Sequence, residues 1–120
     1  MTGSGDDHPI TIEANPNRVR VVLGGTIVAE TTRALTLREG HYAPVFYIPR
    51  EDVEFDLFDR TDRHSHCPYK GDASYFKVTA GGLERRDAAW SYEAPLPAAK
   101  AIAGHLAFYA SKVDAIEELY

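Results

Sequence analysis

Two stretches of the chain alternate β-branched or apolar residues with polar ones on either side of a Gly-Gly pair. The first covers residues 18–32 and has its pair at Gly24-Gly25. The second covers residues 74–86 and has its pair at Gly81-Gly82. Glycine accepts the positive φ angles of a tight two-residue turn, so each stretch predicts a β-hairpin.

Short apolar runs predict three more strands between these hairpins. The first strand contains Leu35 and Leu37 on one face. Residues 45–48 are apolar at every position, which is typical of a strand buried on both faces. Residues 53–57 alternate apolar with acidic positions and predict a half-buried strand. The polar residues 59–70 that follow predict a loop.

The C-terminal third combines strand and helix signals. Residues 88–92 place their alternate aromatic and small apolar side chains on one face of a predicted strand. Residues 98–103 follow two prolines and precede Gly104, which predicts one short helix with a glycine C-cap. Residues 105–109 alternate again and predict a strand, with a continuous helix through Leu119 as the alternative. The amphipathic end of the chain predicts a terminal docking turn.

Composition limits the class of protein. The 120 residues are 44% hydrophobic and 26% charged, which is typical of one globular domain. The predicted strands and single short helix make that domain mainly β. The net charge of -5 and the lack of a Lys/Arg stripe argue against nucleic-acid binding, and no apolar run is long enough for a membrane span. One cysteine indicates a reducing, cytoplasmic compartment. Residues 1–9 predict a flexible tail ahead of a single domain, residues 10–120.

The sequence HSHCPYKGDASYF, residues 64–76, carries the most reactive side chains. Cys67 is the only cysteine, and Lys70, three residues later, is a cation of the kind that lowers a thiol pKa. With His66 as a base, these residues predict a nucleophilic thiol or a small anion site. The alternative is a loop in which the cysteine packs as a small apolar residue. His64 and His66 are metal-ligand types, but no second ligand pair accompanies them, so no metal site is predicted.

Arg50 and several aromatic residues form a second set of candidates. An arginine at a strand end can bind a carboxylate or phosphate through two hydrogen bonds, and a proline-led turn capped by polar residues is the alternative. Tyr47, Tyr75 and Trp90 lie on predicted strands. They either line a pocket or fill the core.

Three segments resemble a known bacterial family. VFYIPREDV, CPYKGDASYFKV and AAWSYEAPLPAAKAIAGHLAFYASKVD occur in this order, and the likeness extends over residues 18–114. They are similar to domain of unknown function family 427, which is sometimes labelled nucleotidyltransferase-like. The resemblance implies a tent-like arrangement of two antiparallel sheets that enclose a pocket. Mss-four-type exchange proteins and methionine sulfoxide reductase B share that fold.

The resemblance also limits the expected chemistry. Many proteins with the tent-like fold join their sheets through zinc held by two CxxC pairs, and this chain has no CxxC, so neither zinc nor another cofactor is expected. A nucleotidyltransferase would need a Gly-Ser metal-binding motif and a spaced carboxylate pair. The chain has neither, so the label finds no support in the residues.

Together these observations predict a pocket between the sheets. Its predicted border consists of Tyr47, Arg50, Cys67, Lys70, Tyr75 and Trp90. The first hypothesis is a domain that binds a small anionic or aromatic ligand, which Lys70 and Arg50 neutralise and Trp90 stacks upon. The second is an enzyme with a Cys67 nucleophile or a nucleotidyltransferase-like activity. The third is an interaction module that forms a homodimer through exposed strands.

Overall fold

Residues 10–120 are described by a computed structural model, and the predicted tail, residues 1–9, lies outside the described residues. The described residues form ten strands and four short 3₁₀ turns, so the expected mainly β fold is confirmed. The strands are β1 (Ile10–Asn15), β2 (Arg18–Leu23), β3 (Thr26–Thr31), β4 (Ala34–Glu39), β5 (Val45–Tyr47), β6 (Phe58–Cys67), β7 (Gly71–Ala80), β8 (Leu83–Ser91), β9 (Ala107–Phe108) and β10 (Ala115–Leu119).

The strands of residues 10–120 form three antiparallel sheets rather than the two expected. Sheet A has the order β1-β4-β5, sheet B the order β10-β2-β3, and sheet C the order β6-β7-β8-β9. Ile48, directly after β5, pairs with Leu106, directly before β9, and this bridge joins the edges of sheets A and C. Ala29 of β3 pairs in the same way with Val53. The Ile48–Leu106 bridge therefore connects two sheets, and the Ala29–Val53 bridge attaches sheet B to the segment between β5 and β6.

Both predicted hairpins are confirmed, and their tips contact each other. Gly24 and Gly81 have φ angles of +60° and +57°, as tight turns require. A Cβ atom on Gly24 would lie 2.6 Å from the carbonyl oxygen of Ala80, and a Cβ atom on Gly81 would collide with the backbone of Gly24. Only glycine fits at either position, because the two backbones pack directly together.

Two predictions for the middle of the chain are wrong. Residues 53–57 do not form a strand: Phe55–Leu57 is a 3₁₀ turn, closed by a hydrogen bond from the Leu57 N–H to the Glu54 carbonyl. This turn directs Phe55 towards Phe76, with the ring centroids 5.5 Å apart. Of residues 59–70, residues 59–67 belong to strand β6 rather than to a loop, and residues 68–70 form a turn. Strand β6 is polar because it is the exposed edge of sheet C, where charged residues are common.

The C-terminal predictions are partly right. The predicted short helix is a 3₁₀ segment, Pro97–Ile102, with a break at Ala99, and Gly104 follows it with a φ angle of +73°. The strand prediction for residues 105–109 is confirmed by β9. The terminal docking turn is wrong, because β10 pairs with β2 and completes sheet B. No helix in residues 10–120 has the length and apolar character needed to cross a membrane.

The buried apolar residues separate into two clusters. The larger lies among sheets B and C and contains mostly aliphatic residues and phenylalanine. The smaller is rich in tyrosine and lies between sheets A and C, with Trp90, Tyr109 and Cys67 partly buried against it. The buried tyrosines of the smaller cluster are Tyr47, Tyr75 and Tyr92. This cluster surrounds the candidate site.

Candidate functional site

A cavity of about 160 Å³ lies between sheets A and C, and we refer to it as the aromatic cavity. Five of the seven tyrosines of the chain line it together with the single tryptophan. These six residues are Tyr42, Tyr47, Tyr75, Trp90, Tyr92 and Tyr109. A concave surface with aromatic walls and a few polar groups is the usual form of a small-molecule site.

Strand register explains how three of the aromatic rings meet. Tyr75 of β7 is directly opposite Trp90 of β8, so the two side chains project from the same face of sheet C. The indole Nε1 of Trp90 donates a 3.2 Å hydrogen bond to the hydroxyl of Tyr47 on sheet A. The two rings are nearly perpendicular, with centroids 6.3 Å apart. The wall between the sheets is thus held by both a polar and an aromatic contact.

Strand β6 supports the tyrosine wall from the edge of sheet C. The Tyr75 hydroxyl forms a 2.8 Å hydrogen bond with Ser65 Oγ. The guanidinium carbon of Arg63 lies 4.4 Å from the centre of the Tyr75 ring, which is a cation–π distance. On the other side of the wall, the Tyr109 ring centroid is 4.5 Å from that of Trp90. These contacts fix the orientation of the rings before any ligand is present.

One buried ion pair also lines the aromatic cavity. Lys70, in the turn between β6 and β7, places its Nζ 2.5 Å from Oε1 of Glu39, the last residue of β4. Each side chain is only 12% exposed. The Lys70 turn is held by a hydrogen bond from the Leu96 N–H to the Lys70 carbonyl. The two charges cancel, so the cavity is polar without carrying a net charge.

Burial raises the pKa of three tyrosine hydroxyls that line the aromatic cavity. Desolvation raises the pKa of Tyr47 and Tyr92 well above the usual value near 10, because the phenolate form would lose its hydration. The hydrogen bond from Trp90 opposes this shift in the pKa of Tyr47. Desolvation, together with a hydrogen bond to Tyr75, raises the pKa of Tyr109 to about 12. These hydroxyls therefore stay protonated to a higher pH than that of a free tyrosine, and a protonated hydroxyl both donates and accepts hydrogen bonds.

A family model for a domain of unknown function, DUF427, matches residues 11–119. The chain belongs to the DUF427 family. The resemblance noted in the sequence is thereby confirmed, and every residue that lines the aromatic cavity falls within the matched span. No match to this DUF427 chain was found among curated proteins.

Four of the six residues predicted to border a pocket line the aromatic cavity of this DUF427 domain. Tyr47, Lys70, Tyr75 and Trp90 converge there although they lie in different parts of the sequence. Cys67 does not line it. The thiol side chain is partly buried and packs against the tyrosine cluster at the end of β6. Cys67 therefore supports the wall as a small apolar residue.

The predicted base and cation of the catalytic hypothesis, His66 and Lys70, each have a carboxylate partner. His66 and Cys67 are successive residues of β6, so their side chains project from opposite faces of the strand. The Nδ1 of His66 lies 2.7 Å from Oδ1 of Asp72, and Lys70 is paired with Glu39. Each of these two groups is thus paired with a carboxylate.

Arg50 lies away from the aromatic cavity. Its Nε donates a 3.1 Å hydrogen bond to the Gly104 carbonyl, and one of its terminal nitrogens is 3.0 Å from a Glu93 oxygen. Arg60 holds the same carboxylate through two hydrogen bonds of 2.8 Å. The hydrogen bond from Arg60 is the main reason that the pKa of Glu93 falls below its usual range. The anion that Arg50 was expected to bind is therefore a carboxylate of the chain itself.

Sequence reasoning missed several residues of the DUF427 cavity. Tyr92 lies two residues after Trp90, and this strand spacing is the sequence signal that could have placed it in the cavity. Tyr109 follows β9, and its N–H bonds to the Ala88 carbonyl, which brings it beside Trp90. Nothing in the sequence marks Glu39 as a site residue, because only the packing of sheet A against sheet C brings it to Lys70.

Proposed function

We propose that this DUF427 domain binds a small, uncharged aromatic molecule in the aromatic cavity. The observation that carries the proposal is the lining itself: one tryptophan and five tyrosines surround an ion pair whose charges cancel. Stacked or perpendicular aromatic contacts suit a planar ring. Tyrosine hydroxyls, the Lys70 ammonium and the Glu39 carboxylate supply hydrogen bonds that orient it.

The volume of the cavity supports a ligand of about one ring. Cavities that hold drug-sized molecules span roughly 300–1,000 Å³, whereas a cavity of about 150 Å³ accommodates benzene. The aromatic cavity, at about 160 Å³, is close to the smaller value. A nucleotide or a fused ring system with a phosphate would not fit without a rearrangement of the walls.

The distribution of charge favours a neutral ligand over an anionic one. An anion in the cavity would have to compete with Glu39 for Lys70, because the two side chains are already 2.5 Å apart. The second cation of the anionic hypothesis was Arg50, which is bound to Glu93. An anion would therefore be buried with no cation of its own, and burying an unpaired charge is costly.

Nuclear magnetic resonance tests the proposal directly, because the single tryptophan gives one indole N–H signal and lies in the wall. The probes are phenol, benzoate and benzylammonium, which share one ring and differ in charge. Phenol is expected to shift the Trp90 signal saturably, with an affinity about tenfold or more above that of either ion, a difference of about 1.4 kcal/mol. Equal binding of benzoate and phenol would contradict the neutral-ligand proposal. The absence of a saturable shift with all three probes would contradict binding in this cavity.

We also propose the cytoplasm as the location of the protein. The support is the single cysteine, a composition typical of proteins in reducing compartments. Fractionation of the source cells, with detection by an antibody against the chain, is expected to recover the protein with cytoplasmic markers. Recovery with the membrane or secreted fraction would contradict this location.

A further inference from the structure

Two histidines lie on one exposed face of the edge strand β6. His64 and His66 are two residues apart, and residues at that spacing in a strand project from the same face. Both line a shallow surface hollow together with Asp72 of β7. The sequence predicts a loop here, and in a loop residues two apart need not share a face. In the observed strand the two imidazoles lie next to each other on one face.

Asp72 orients one of these imidazoles. It is directly opposite His66 in the antiparallel pair, and its Oδ1 lies 2.7 Å from Nδ1 of His66. A carboxylate that accepts a hydrogen bond from one ring nitrogen fixes the tautomer and leaves the other nitrogen, Nε2, as a lone-pair donor. Metal-binding histidines commonly have such a carboxylate partner, which also increases the basicity of the ligand.

On β7, Ser74 is opposite His64 and Asp72 is opposite His66, so their side chains share this face of sheet C with the two histidines. Ser65 lies between them in sequence but on the opposite face, where it bonds to Tyr75. Within residues 10–120, no group of three or more His, Cys, Asp or Glu side chains is arranged to hold a metal ion. Two imidazoles would therefore be the protein ligands, and water would fill the remaining positions. Imidazole pairs suit divalent copper, nickel and zinc, with copper bound most tightly.

We propose that His64 and His66 bind one divalent transition-metal ion on the face of sheet C opposite the aromatic cavity. Asp72 is the positioning residue, since it acts through His66. This site is independent of the proposed function, because none of its residues lines the aromatic cavity.

Titration of the full chain with Cu²⁺, followed by calorimetry and electron paramagnetic resonance, tests the site. The unmodified protein is expected to bind one Cu²⁺ at this site with nitrogen hyperfine structure from two imidazoles. His64→Ala and His66→Ala are each expected to weaken that binding by about tenfold or more and to remove one nitrogen from the spectrum. His41→Ala and His105→Ala are the matched controls and are expected to leave it unchanged. Unaltered Cu²⁺ binding in the double variant of His64 and His66, or loss in a control, would overturn the proposal.

The role of Asp72 is tested with Asp72→Asn. Loss of a carboxylate partner typically lowers metal affinity by about 10- to 100-fold, so a decrease in this range is expected. Nitrogen-15 resonance of the metal-free protein should also show that His66 loses its preference for the tautomer protonated on Nδ1, a change that a merely structural role would not cause. An unchanged tautomer together with unchanged Cu²⁺ affinity would contradict the positioning role.

Discussion

The two sides of β5 carry cavities of opposite character. On one side is the aromatic cavity. On the other is a larger one of about 250 Å³, the apolar cavity, lined by Val21, Pro44, Val45, Phe46, Ile48, Phe108, Ala110 and Ile116. The side chains that line the apolar cavity are all apolar, whereas the aromatic cavity adds hydroxyls and an ion pair that can orient a ligand. Volume alone is thus a poor guide to a binding site.

The alternation of a single short strand creates this contrast. Phe46 and Tyr47 are successive residues of β5 and therefore project from opposite faces, one towards each cavity. Val45 lines both cavities. Three residues thus separate an apolar space from a polar aromatic one, and substitutions on either side can test whether the difference matters.

The largest expected effect comes from breaking the ion pair of the aromatic cavity. Lys70→Met removes the cation that pairs with the largely buried Glu39 carboxylate, which is expected to lower the free energy of unfolding by about 3 kcal/mol. Urea denaturation measures this change. Lys77→Met is the matched control, because Lys77 pairs with Glu84 at the surface, and it is expected to cost much less. Equal losses in the two variants would show that the cavity pair is no more important than a surface pair.

Filling one cavity at a time separates their roles in binding. Ala43 is exposed at the rim of the aromatic cavity, and Ala110 is similarly exposed in the apolar cavity. Ala43→Phe is expected to weaken phenol binding by about tenfold or more, about 1.4 kcal/mol, because its ring occupies the space of the ligand. Ala110→Phe is expected to leave phenol affinity unchanged in the same resonance titration. The reverse result would move the binding site to the apolar cavity.

A smaller effect is expected behind the aromatic wall. Ser91 follows Trp90 on β8 but projects from the opposite face, and its buried Oγ has no hydrogen-bond partner among the described residues. Ser91→Ala removes this unsatisfied group and is expected to raise the free energy of unfolding by about 1 kcal/mol. Ser65→Ala is the control, since it removes a hydroxyl that bonds to Tyr75 and is expected to lower stability. A loss of stability in Ser91→Ala, measured by urea denaturation, would indicate a partner for the hydroxyl.

The smallest effect concerns Glu93, outside both cavities. Its arginine partners lower its pKa in the folded state below the usual 4.5, so its contribution to stability is present above pH 4.5 and is lost as the pH falls through the folded-state value. Glu93→Gln is therefore expected to reduce the loss of stability in acid. Thermal unfolding across this pH range measures the slope. Glu13→Gln, at a far more exposed carboxylate, should leave the slope nearly unchanged, and identical slopes for both variants would contradict the role of Glu93.

Local sequence patterns predict the two hairpins correctly. The other elements are harder to predict because they depend on contacts between distant parts of the chain. A Gly-Gly pair between alternating runs defines a turn without reference to other elements, so β2-β3 and β7-β8 were found. The polar sequence of β6 predicts a loop, because such residues suit a strand only at a sheet edge, and edges depend on the order of all strands. Residues 53–57 alternate as a strand does, but the packing of Phe55 on Phe76 favours a turn.

The sequence predicts those residues of the candidate site whose type is distinctive for the element that carries them. Aromatic residues on predicted strands and a lysine in a turn identified Tyr47, Lys70, Tyr75 and Trp90, which the structure brings together. The sequence suggests one site for Arg50 and Lys70 because both are cations. In the structure Arg50 pairs with Glu93 and Lys70 pairs with Glu39, so the two cations lie in different places. Only the tertiary structure reveals these partners.

The contact between the two hairpin tips gives the glycines of each turn different tolerance to substitution. Gly24 and Gly81 cannot be substituted because the backbone opposite them leaves no room for a side chain. A Cβ atom on Gly25 or Gly82 would meet nothing within 4 Å. At the latter pair only the positive φ angle matters, and asparagine accommodates that angle better than most residues. Exposed turns are the usual places to insert a peptide tag. In this protein the two turns pack against each other and connect sheets B and C. A tag inserted in either turn would therefore push the two sheets apart.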